Sequence, residues 1–515
     1  MKVLLLSMPD SFEHTPSLAM RMPNGALASL AGNAGPGHDV RIADLILAQS
    51  TVAATVTRLM RELDPDVVGL SIMTFQRRTA LRLIRLIRSI KPEVVVVAGG
   101  YDPSLATDVY EPPSTGVDFV VRGEGELTFR GLLRGLSRGE DVSSIPGLSF
   151  RVAGGAFVHA PARGVNGLDD GEIALPDRAA RVLSGYTFLG RPIDIVETSR
   201  GCTYDCSFCS IIEMRGRNFH TFDFTRVLAD IADARARGAR AIFLVDDNIT
   251  LNVARFEALC RAIVEADLHD VHYIVQAMTS SIASHGATLA PLMRRAGFRY
   301  VFLGIENILE DDLVFLRASA KNAQREGGRR VGNATLRAIE LLHREGLAVV
   351  GGIIVGNPDD TRESIEANLA FAREYVDWPY IQHPTPYPGT PMTEDFRRRN
   401  LIVNERVEEY DGTTAVVRTA HLSADEIEFL RWRAERWMKV RHIPNVLWHY
   451  PGFVLRNGRR MFGHTFRGSS WRSALGFESE REVFRRYKAL RAEEREYLPE
   501  TPPAHGNRAP AYGMS

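Results

Sequence analysis

Cysteine is scarce in this chain: four residues in 515, three of them inside one stretch of eight. So few thiols exclude a disulfide framework and point to a reducing compartment, the cytoplasm. Long apolar runs are missing as well. With no stretch of 18 or more apolar residues, nothing reads as a membrane span. The N-terminal run Val3-Leu4-Leu5-Leu6 is too short for a signal peptide and reads as a buried strand. Neither sign of charge dominates. The 63 Lys and Arg balance 63 Asp and Glu, which argues against nucleic acid as a partner of the whole chain. What remains, 45% hydrophobic and 24% charged residues, is the composition of a globular protein of roughly two to four domains.

The three clustered thiols stand in Cys202-Thr203-Tyr204-Asp205-Cys206-Ser207-Phe208-Cys209. Cysteine thiolates are the usual ligands of iron–sulfur clusters, and a closed [4Fe–4S] cluster takes four of them. The fourth cysteine, Cys260, lies in a helical stretch (Phe256-Glu257-Ala258-Leu259-Cys260-Arg261) and reads as a small core residue. Three ligands leave one iron open to a substrate or second cofactor. The other readings are a zinc site, which wants four closed ligands, or three unrelated core cysteines. The spacing resembles that of radical S-adenosylmethionine (SAM) enzymes. The resemblance implies that Cys202, Cys206 and Cys209 hold the cluster, that the open iron chelates SAM, and that Phe208 lies near its adenine. A one-electron donor such as flavodoxin or ferredoxin is implied with it.

Residues 1–150 predict a parallel α/β domain. Val/Ile/Leu-rich strands at 2–8, 38–42, 67–71, 94–98 and 119–121 alternate with helices at about 25–31, 51–63 and 77–90. Such sheets place ligands at the carboxyl ends of their strands. The blocks VVGLS, VVVAGG and DFVVRGEGE resemble the Rossmann-like cobalamin-binding domain that precedes many radical SAM cores. On that resemblance Ser71 and Thr74 lie near the lower face of the corrin or its dimethylbenzimidazole tail, and Gly99 and Gly100 accommodate the nucleotide loop. No Asp-x-His-x-x-Gly motif offers a lower cobalt ligand here. The nearest string, Asp270-Val271-His272, lies elsewhere and lacks the glycine. A flavodoxin-like scaffold is the alternative for this region.

Residues 151–190, rich in Gly, Pro, Asp and Arg, read as a linker. A core over 191–392 follows. Strands at 193–198, 241–245, 273–278, 300–305, 348–355 and 380–383 are separated by helices at 224–237, 253–266, 289–296, 333–345 and 362–375. Six parallel strands make a partial (β/α)6 TIM-type barrel with its chemistry at the carboxyl ends, which fits the radical SAM core. The strand ends carry polar groups. Asp246-Asp247-Asn248 is placed where the family contacts the SAM amino group, although an Asp/Asn helix cap is the plainer reading. Gln276 ends the third strand. Glu306 ends the fourth and is implied near the SAM ribose or carboxylate, and Gly356 belongs to a block near the adenine. Pro384-Thr385-Pro386-Tyr387-Pro388-Gly389-Thr390-Pro391 after the last strand also resembles the cobalamin-type relatives.

An accessory region over 393–498 should be mainly helical, and the tail 499–515 reads as disordered. From Arg431 to Arg472 there are ten Lys or Arg against one acidic residue, Glu435, interleaved with Trp432, Trp437, Trp448, Phe453, Phe462, Phe466 and Trp471. Three readings suit this pattern: the face of an anionic bilayer, a solvated helical face over an aromatic core, or a single-stranded nucleic acid. Of these, nucleic acid is the least favoured. The stretch His14-Thr15-Pro16 through Met20-Arg21-Met22-Pro23-Asn24-Gly25-Ala26-Leu27-Ala28-Ser29-Leu30 resembles hopanoid C-3 methylases. That resemblance implies methyl transfer from methylcobalamin to an unactivated carbon of a lipid, by a cytoplasmic protein that touches the inner face of the membrane. The alternatives are a cobalamin-dependent radical cyclase or rearrangement enzyme, and a non-catalytic iron–sulfur module. The sequence assigns no catalytic side chain. Cys206→Ala is expected to abolish cluster assembly and SAM cleavage while Cys260→Ala leaves both intact, read from iron content and 5′-deoxyadenosine formation.

Overall fold

The computed structural model describes residues 1–11, 19–152, 155–165, 168, 171–326, 329–493 and 496–498. His14, Thr15 and Pro16 of the hopanoid-methylase-like stretch, and the tail from 499 onward, lie outside the described residues.

The first sheet is built from β1 (Lys2–Ser7), β2 (Asp39–Asp44), β3 (Val67–Ser71), β4 (Val95–Gly99), β5 (Phe119–Val121), β6 (Leu148–Arg151) and β7 (Phe157–His159). Their spatial order is β2-β1-β3-β4-β5-β6-β7, parallel as far as β5 and antiparallel beyond it. The unbroken apolar runs follow from burial on both faces. Leu4, Leu6, Val68, Leu70 and Val96 pack under the helices Val52–Leu63 and Arg77–Ile90. Val3, Leu5, Val67, Val95 and Val97 face Gly25–Asn33 and Glu126–Arg138. The chain leaves β1 in opposite directions to reach β2 and β3, so the switch point lies at Ser7 and Ser71, which are register partners.

The second sheet holds β8 (Arg191–Val196), β9 (Ala241–Leu244), β10 (His272–Met278), β11 (Phe298–Glu306), β12 (Ala348–Ile354) and β13 (Trp378–Gln382). These are six parallel strands in sequence order. The sheet curls. Phe188, in a segment paired with β8, stacks on Trp378 of β13 at a centroid distance of 6.4 Å, which brings the two ends of the sheet together. This is the expected partial barrel. Its outer face, with Ile242, Leu244, Val275, Val301, Leu303 and Val349, packs under the helical layer. Its inner face begins with a plug of Phe188, Ile193, Ala241, Ile274, Tyr300 and Phe453 at the amino ends of the strands.

The segment expected to be a plain linker does more than connect. Residues 157–159 form β7, and Ile42 of β2 exchanges backbone hydrogen bonds with Ala180 and Val182, both 2.8 Å. Thr187–Phe188 bridges β8 and the short strand Met20–Arg21. The N-terminal part of the chain thereby adds a strand to the second sheet. These edge pieces are two or three residues long, too short for an apolar period to reveal.

After β13 the chain is mainly helical, as expected. The helix Ala424–His449 opens with a Ser423/Glu426 capping box and descends beside β13, where Arg431 Nε donates to the Ile381 carbonyl at 2.6 Å. The helix Pro451–Thr465 then turns Phe453 under the barrel, and the Tyr450 hydroxyl meets that of Tyr300. The aromatic residues of this region therefore divide. Trp432 and Phe453 are buried, whereas Trp437 (58% exposed), Trp448 (82%), Phe462 and Trp471 stand in solvent. Removing the plug with Phe453→Ala is expected to cost about 3–5 kcal/mol. Urea unfolding should show it as a lower midpoint with an unchanged slope.

Candidate active site

The cysteine loop springs from the carboxyl end of β8, and buried polar groups hold its entry. Asp246, after β9, accepts from the Thr198 amide at 2.7 Å and from the hydroxyls of Thr198 and Ser199. Burial pushes its carboxyl up to about 6, while the three donors pull the other way. Asp247 accepts from the Gly201 amide at 2.7 Å. Gly201 has φ +88°, and a Cβ there would lie 2.5 Å from the Asn218 carbonyl oxygen, so only glycine fits. Ser199–Arg200 pairs antiparallel with His220–Thr221 and closes the base of the loop. The Ser207 amide donates to the Leu316 carbonyl at 3.0 Å, and the Met392 amide to the Ser207 carbonyl at 2.9 Å. Phe208 packs with Ile354, Met392 and Phe396.

Cys206 is buried and Cys202 and Cys209 are half-buried, all as free thiols. Burial pushes Cys206 up to about 11 and Cys209 to about 12, while nearby Lys321 pulls each back. Three free thiols beside the half-buried Lys321 ammonium, one of them, Cys202, accepting from Asn248 Nδ2 at 3.9 Å, are a donor set that suits a cluster binding thiolates. Among the described residues no three His, Cys, Asp or Glu side chains converge on a point as one metal ion requires. Cys260 packs in the core under the second sheet, as expected. Lys321, from the short helix Ser319–Asn322, places Nζ 3.0 Å from Glu306 Oε1. Glu306 is a non-glycine residue in the left-handed region, φ +58°, and a Cβ on Gly304 would stand 2.8 Å from its carboxylate. Nothing in its own segment marks Lys321; it reaches the site by a tertiary contact.

The remaining expected residues are placed as follows. Asp246 does not offer a free carboxylate to a cofactor amine, because it is buried and braces the β8 exit; Asp247 lies nearer the cysteines, 3.4 Å from Arg215 Nη1. Gln276 is half-buried on the inner wall in one row with Phe302, Val350 and Trp378. Gly356, φ +100°, leaves room for Ile427 of the C-terminal helix, 2.9 Å from where its Cβ would be. Ser71 and Gly99 are register neighbours at the carboxyl edge of the first sheet, and Thr74 is buried just beyond. The Ser71 hydroxyl accepts from Asn24 Nδ2 at 3.2 Å. Gly100, φ +99°, would drive a Cβ to 2.8 Å from the Ile72 backbone.

The carboxyl edge of the first sheet faces the cysteine loop. Arg200 Nη2 lies 2.7 Å from Glu126 Oε1 and 2.8 Å from Glu197 Oε2, and Nη1 lies 3.6 Å from Glu124 Oε2. Glu126 also accepts from the Ser29 hydroxyl at 2.7 Å. Tyr101, next after Gly100, is half-buried beside Asp247, Arg215 and Cys209, and desolvation raises its hydroxyl pKa. The RGEGE block was legible as a strand-end loop, but its ionic partner was not.

Residues 17–133 match the B12 binding domain, and residues 196–372 match the Radical SAM superfamily. The chain thus joins a B12 binding domain to a radical SAM domain, the arrangement of a cobalamin-dependent radical SAM enzyme whose cofactors are cobalamin, SAM and a [4Fe–4S] cluster. Among its relatives is an uncharacterized methyltransferase of Pyrococcus horikoshii, 27% identical over 89% of this chain and 97% of that protein. The hopanoid C-3 methylase of Methylococcus capsulatus is 28% identical over 69% of this chain and 64% of its own length. The anaerobic magnesium-protoporphyrin IX monomethyl ester cyclase of Rubrivivax gelatinosus is 25% identical over 83% and 75%. The fold is shared with the radical SAM methyltransferase TsrM from Kitasatospora setae, solved with cobalamin and a [4Fe–4S] cluster. That chain is 21% identical with a TM-score of 0.62, over 78% of this chain and 79% of that one.

Glu126 gives the site a pH signature. Burial alone raises its pKa, but Arg200 and Ser29 outweigh that and hold it at about 2, against 4.5 unfolded. Between those values the unfolded chain binds the extra proton, so stability rises with pH through the window and is complete above it. The advantage of the native protein over Glu126→Gln, on the order of 3 kcal/mol, is expected above pH 4.5 and should shrink as pH falls towards 2 in denaturant titrations.

Proposed function

We propose that this protein methylates an unactivated carbon of an apolar substrate, C-3 of a hopanoid A-ring being the leading candidate. The observation that carries the reading is the docking of the cobalamin-side strand ends onto the cysteine loop, through Arg200 with Glu126 and Tyr101 beside Arg215 and Asp247. When bound, the cofactors supply a carbon-centred radical and a methyl donor. The protein's part is to hold them and keep water out. Cys202, Cys206 and Cys209 hold the cluster. Glu306 with Lys321, and Asp247, are the charged groups available to the polar end of SAM, while Phe208 and Gly356 border its adenine. Ser71, Thr74, Gly99 and Gly100 form the corrin-side edge. Above the Phe453 plug the inner wall presents Phe302 and Tyr380, their rings edge-to-face at 5.8 Å, with Gln276 half-buried among them. That wall suits a flat, apolar ring system better than a charged one.

In this reading residues 1–150 bind cobalamin, 151–190 connect, 191–392 are the radical SAM core and 393–498 the accessory region. The hopanoid assignment leans on the 28% identical methylase and on the 20–30 stretch. Much of that stretch serves the fold. Met20–Arg21 pairs with Thr187–Phe188, and Asn24 caps the helix Gly25–Asn33. A reductant such as flavodoxin or ferredoxin supplies electrons. Peripheral membrane contact through Trp437, Trp448, Phe462 and Trp471 belongs to the same reading. No helix among the described residues is long and apolar enough to cross a membrane. The helices Ala424–His449 and Pro451–Thr465, which carry Trp437, Trp448 and Phe462, pack at the amino ends of the barrel strands, so the contact would orient the molecule rather than feed the cysteine loop.

The cyclase relative favours a second reading, ring closure or rearrangement with the same cofactors. Anaerobic turnover separates the two. Methyl transfer is expected to yield S-adenosylhomocysteine together with 5′-deoxyadenosine, and turnover that gives the deoxynucleoside alone would sink the methylase. Loss of 3-methylhopanoids from a deletion strain would establish the substrate.

A further inference from the structure

Three carboxylates surround one buried guanidinium two residues ahead of the first cluster cysteine. Glu197 follows β8 and belongs to the radical SAM core. Glu124 and Glu126 come from the loop after β5, in the B12-binding domain. Glu126 opens the helix Glu126–Arg138, and its tie to Ser29 reaches the helix Gly25–Asn33 on the same face of the first sheet. Arg200 is fixed from its own side as well. It stands in the strand pair that closes the cysteine loop, with its guanidinium carbon 5.6 Å from the centre of the Phe222 ring. Other ion pairs reach from the first domain to later parts of the chain, among them Arg78 with Glu408 and Glu496, Arg82 with Glu496 and Arg130 with Glu172, but each has at least one partner well exposed to solvent and constrains less. The Arg200 cluster is buried, so its geometry is tightly held and removing one partner leaves an uncompensated charge.

We propose that Arg200 is a positioning residue that sets the distance and angle between the two cofactors by pinning the B12-binding domain's Glu126 loop to the cysteine loop. The inference rests on the two-cofactor reading above. It goes beyond that reading in assigning the coupling of the two halves to one ionic joint. Arg200 touches no reacting atom. It acts on the Cys202 side through Gly201 and on the corrin side through the loop that follows Val121. Such a joint matters for chemistry because a misplacement of about 1 Å between reacting groups costs on the order of 10²-fold in rate.

The test uses the full-length, cluster- and cobalamin-loaded protein with Arg200→Gln, Arg200→Lys and Glu126→Gln. Iron and cobalamin per chain, the ratio of final product to 5′-deoxyadenosine, and hydrogen exchange over 122–127 and 197–202 are measured. Arg200→Gln and Glu126→Gln should both retain iron and cobalamin and still cleave SAM. Their product ratio should fall by ~10-fold or more, with faster exchange in both segments. Arg200→Lys should recover part of the ratio. An unchanged ratio in the two glutamine variants would overturn the proposal, showing the joint to be structural only. So would loss of iron in Arg200→Gln with Glu126→Gln unaffected, which would confine Arg200 to the cysteine loop. If wild-type protein forms no S-adenosylhomocysteine, methyl transfer fails as a reading, but the ratio of whatever product is formed and the exchange data still judge the joint.

Discussion

A single buried carboxylate decides where the chemistry of this protein can be. Asp246 gathers the Thr198 amide and the Thr198 and Ser199 hydroxyls at the carboxyl end of β8, and Asp247 beside it takes the Gly201 amide. A buried carboxyl group in that setting is tolerable only because donors converge on it. The same donors thereby fix the direction in which the chain leaves the strand. Everything from Gly201 to Cys209 inherits that direction. The left-handed turn at Gly201 then carries the thiols towards Lys321 and Glu306 on one side and towards the first sheet on the other.

The second constraint is that the parallel strands of both sheets present their carboxyl ends to the same space. Parallel strands collect polar loop residues at one edge, so two such domains facing each other bring two ligand edges together. Apolar contact alone would leave their relative angle loose. The charged joint at Arg200 and the insertion of Tyr101 beside Arg215 restrict it. The Met20–Arg21 strand, which borrows an edge of the second sheet, restricts it further. The C-terminal helices close the opposite end, where Phe453 fills the barrel floor, and reach the carboxyl side as well, where Ile427 sits over Gly356.

Much of the fold was readable because burial on both faces writes itself into the residues. Val67–Ser71 and Arg77–Ile90 lie where the sequence places them, and the six core strands keep their order. The helix expected at 289–296 begins ten residues earlier, at Thr279. Its first turn, Thr279-Ser280-Ser281, looks like loop chemistry, yet Thr279 Oγ1 donates to the Gly304 carbonyl at 2.7 Å and buries there. The hairpin Ala323–Glu326 with Arg329–Asn333 left no readable pattern, being short and exposed. In the site, the cysteines announce themselves by spacing. Lys321, Tyr101 and the Arg200 partners do not, since each acts across a gap of many residues.

The sequence by itself determined the kinds of chemistry: three thiols with one ligand short of a closed cluster, strand ends rich in glycine and carboxylates, and a basic, aromatic C-terminal region. Those are properties of residue type and local spacing, which one chain can display before it folds. Only the tertiary structure decided how they are used. It turned Asp246 inward as a brace and left Asp247 nearer the thiols. It supplied Lys321 to Glu306, joined Glu126 to Arg200, and divided the aromatic residues between a buried plug and an exposed face. Burial and long-range charge pairing are set by which surfaces meet, and that is a property of the packed chain, which no single segment encodes.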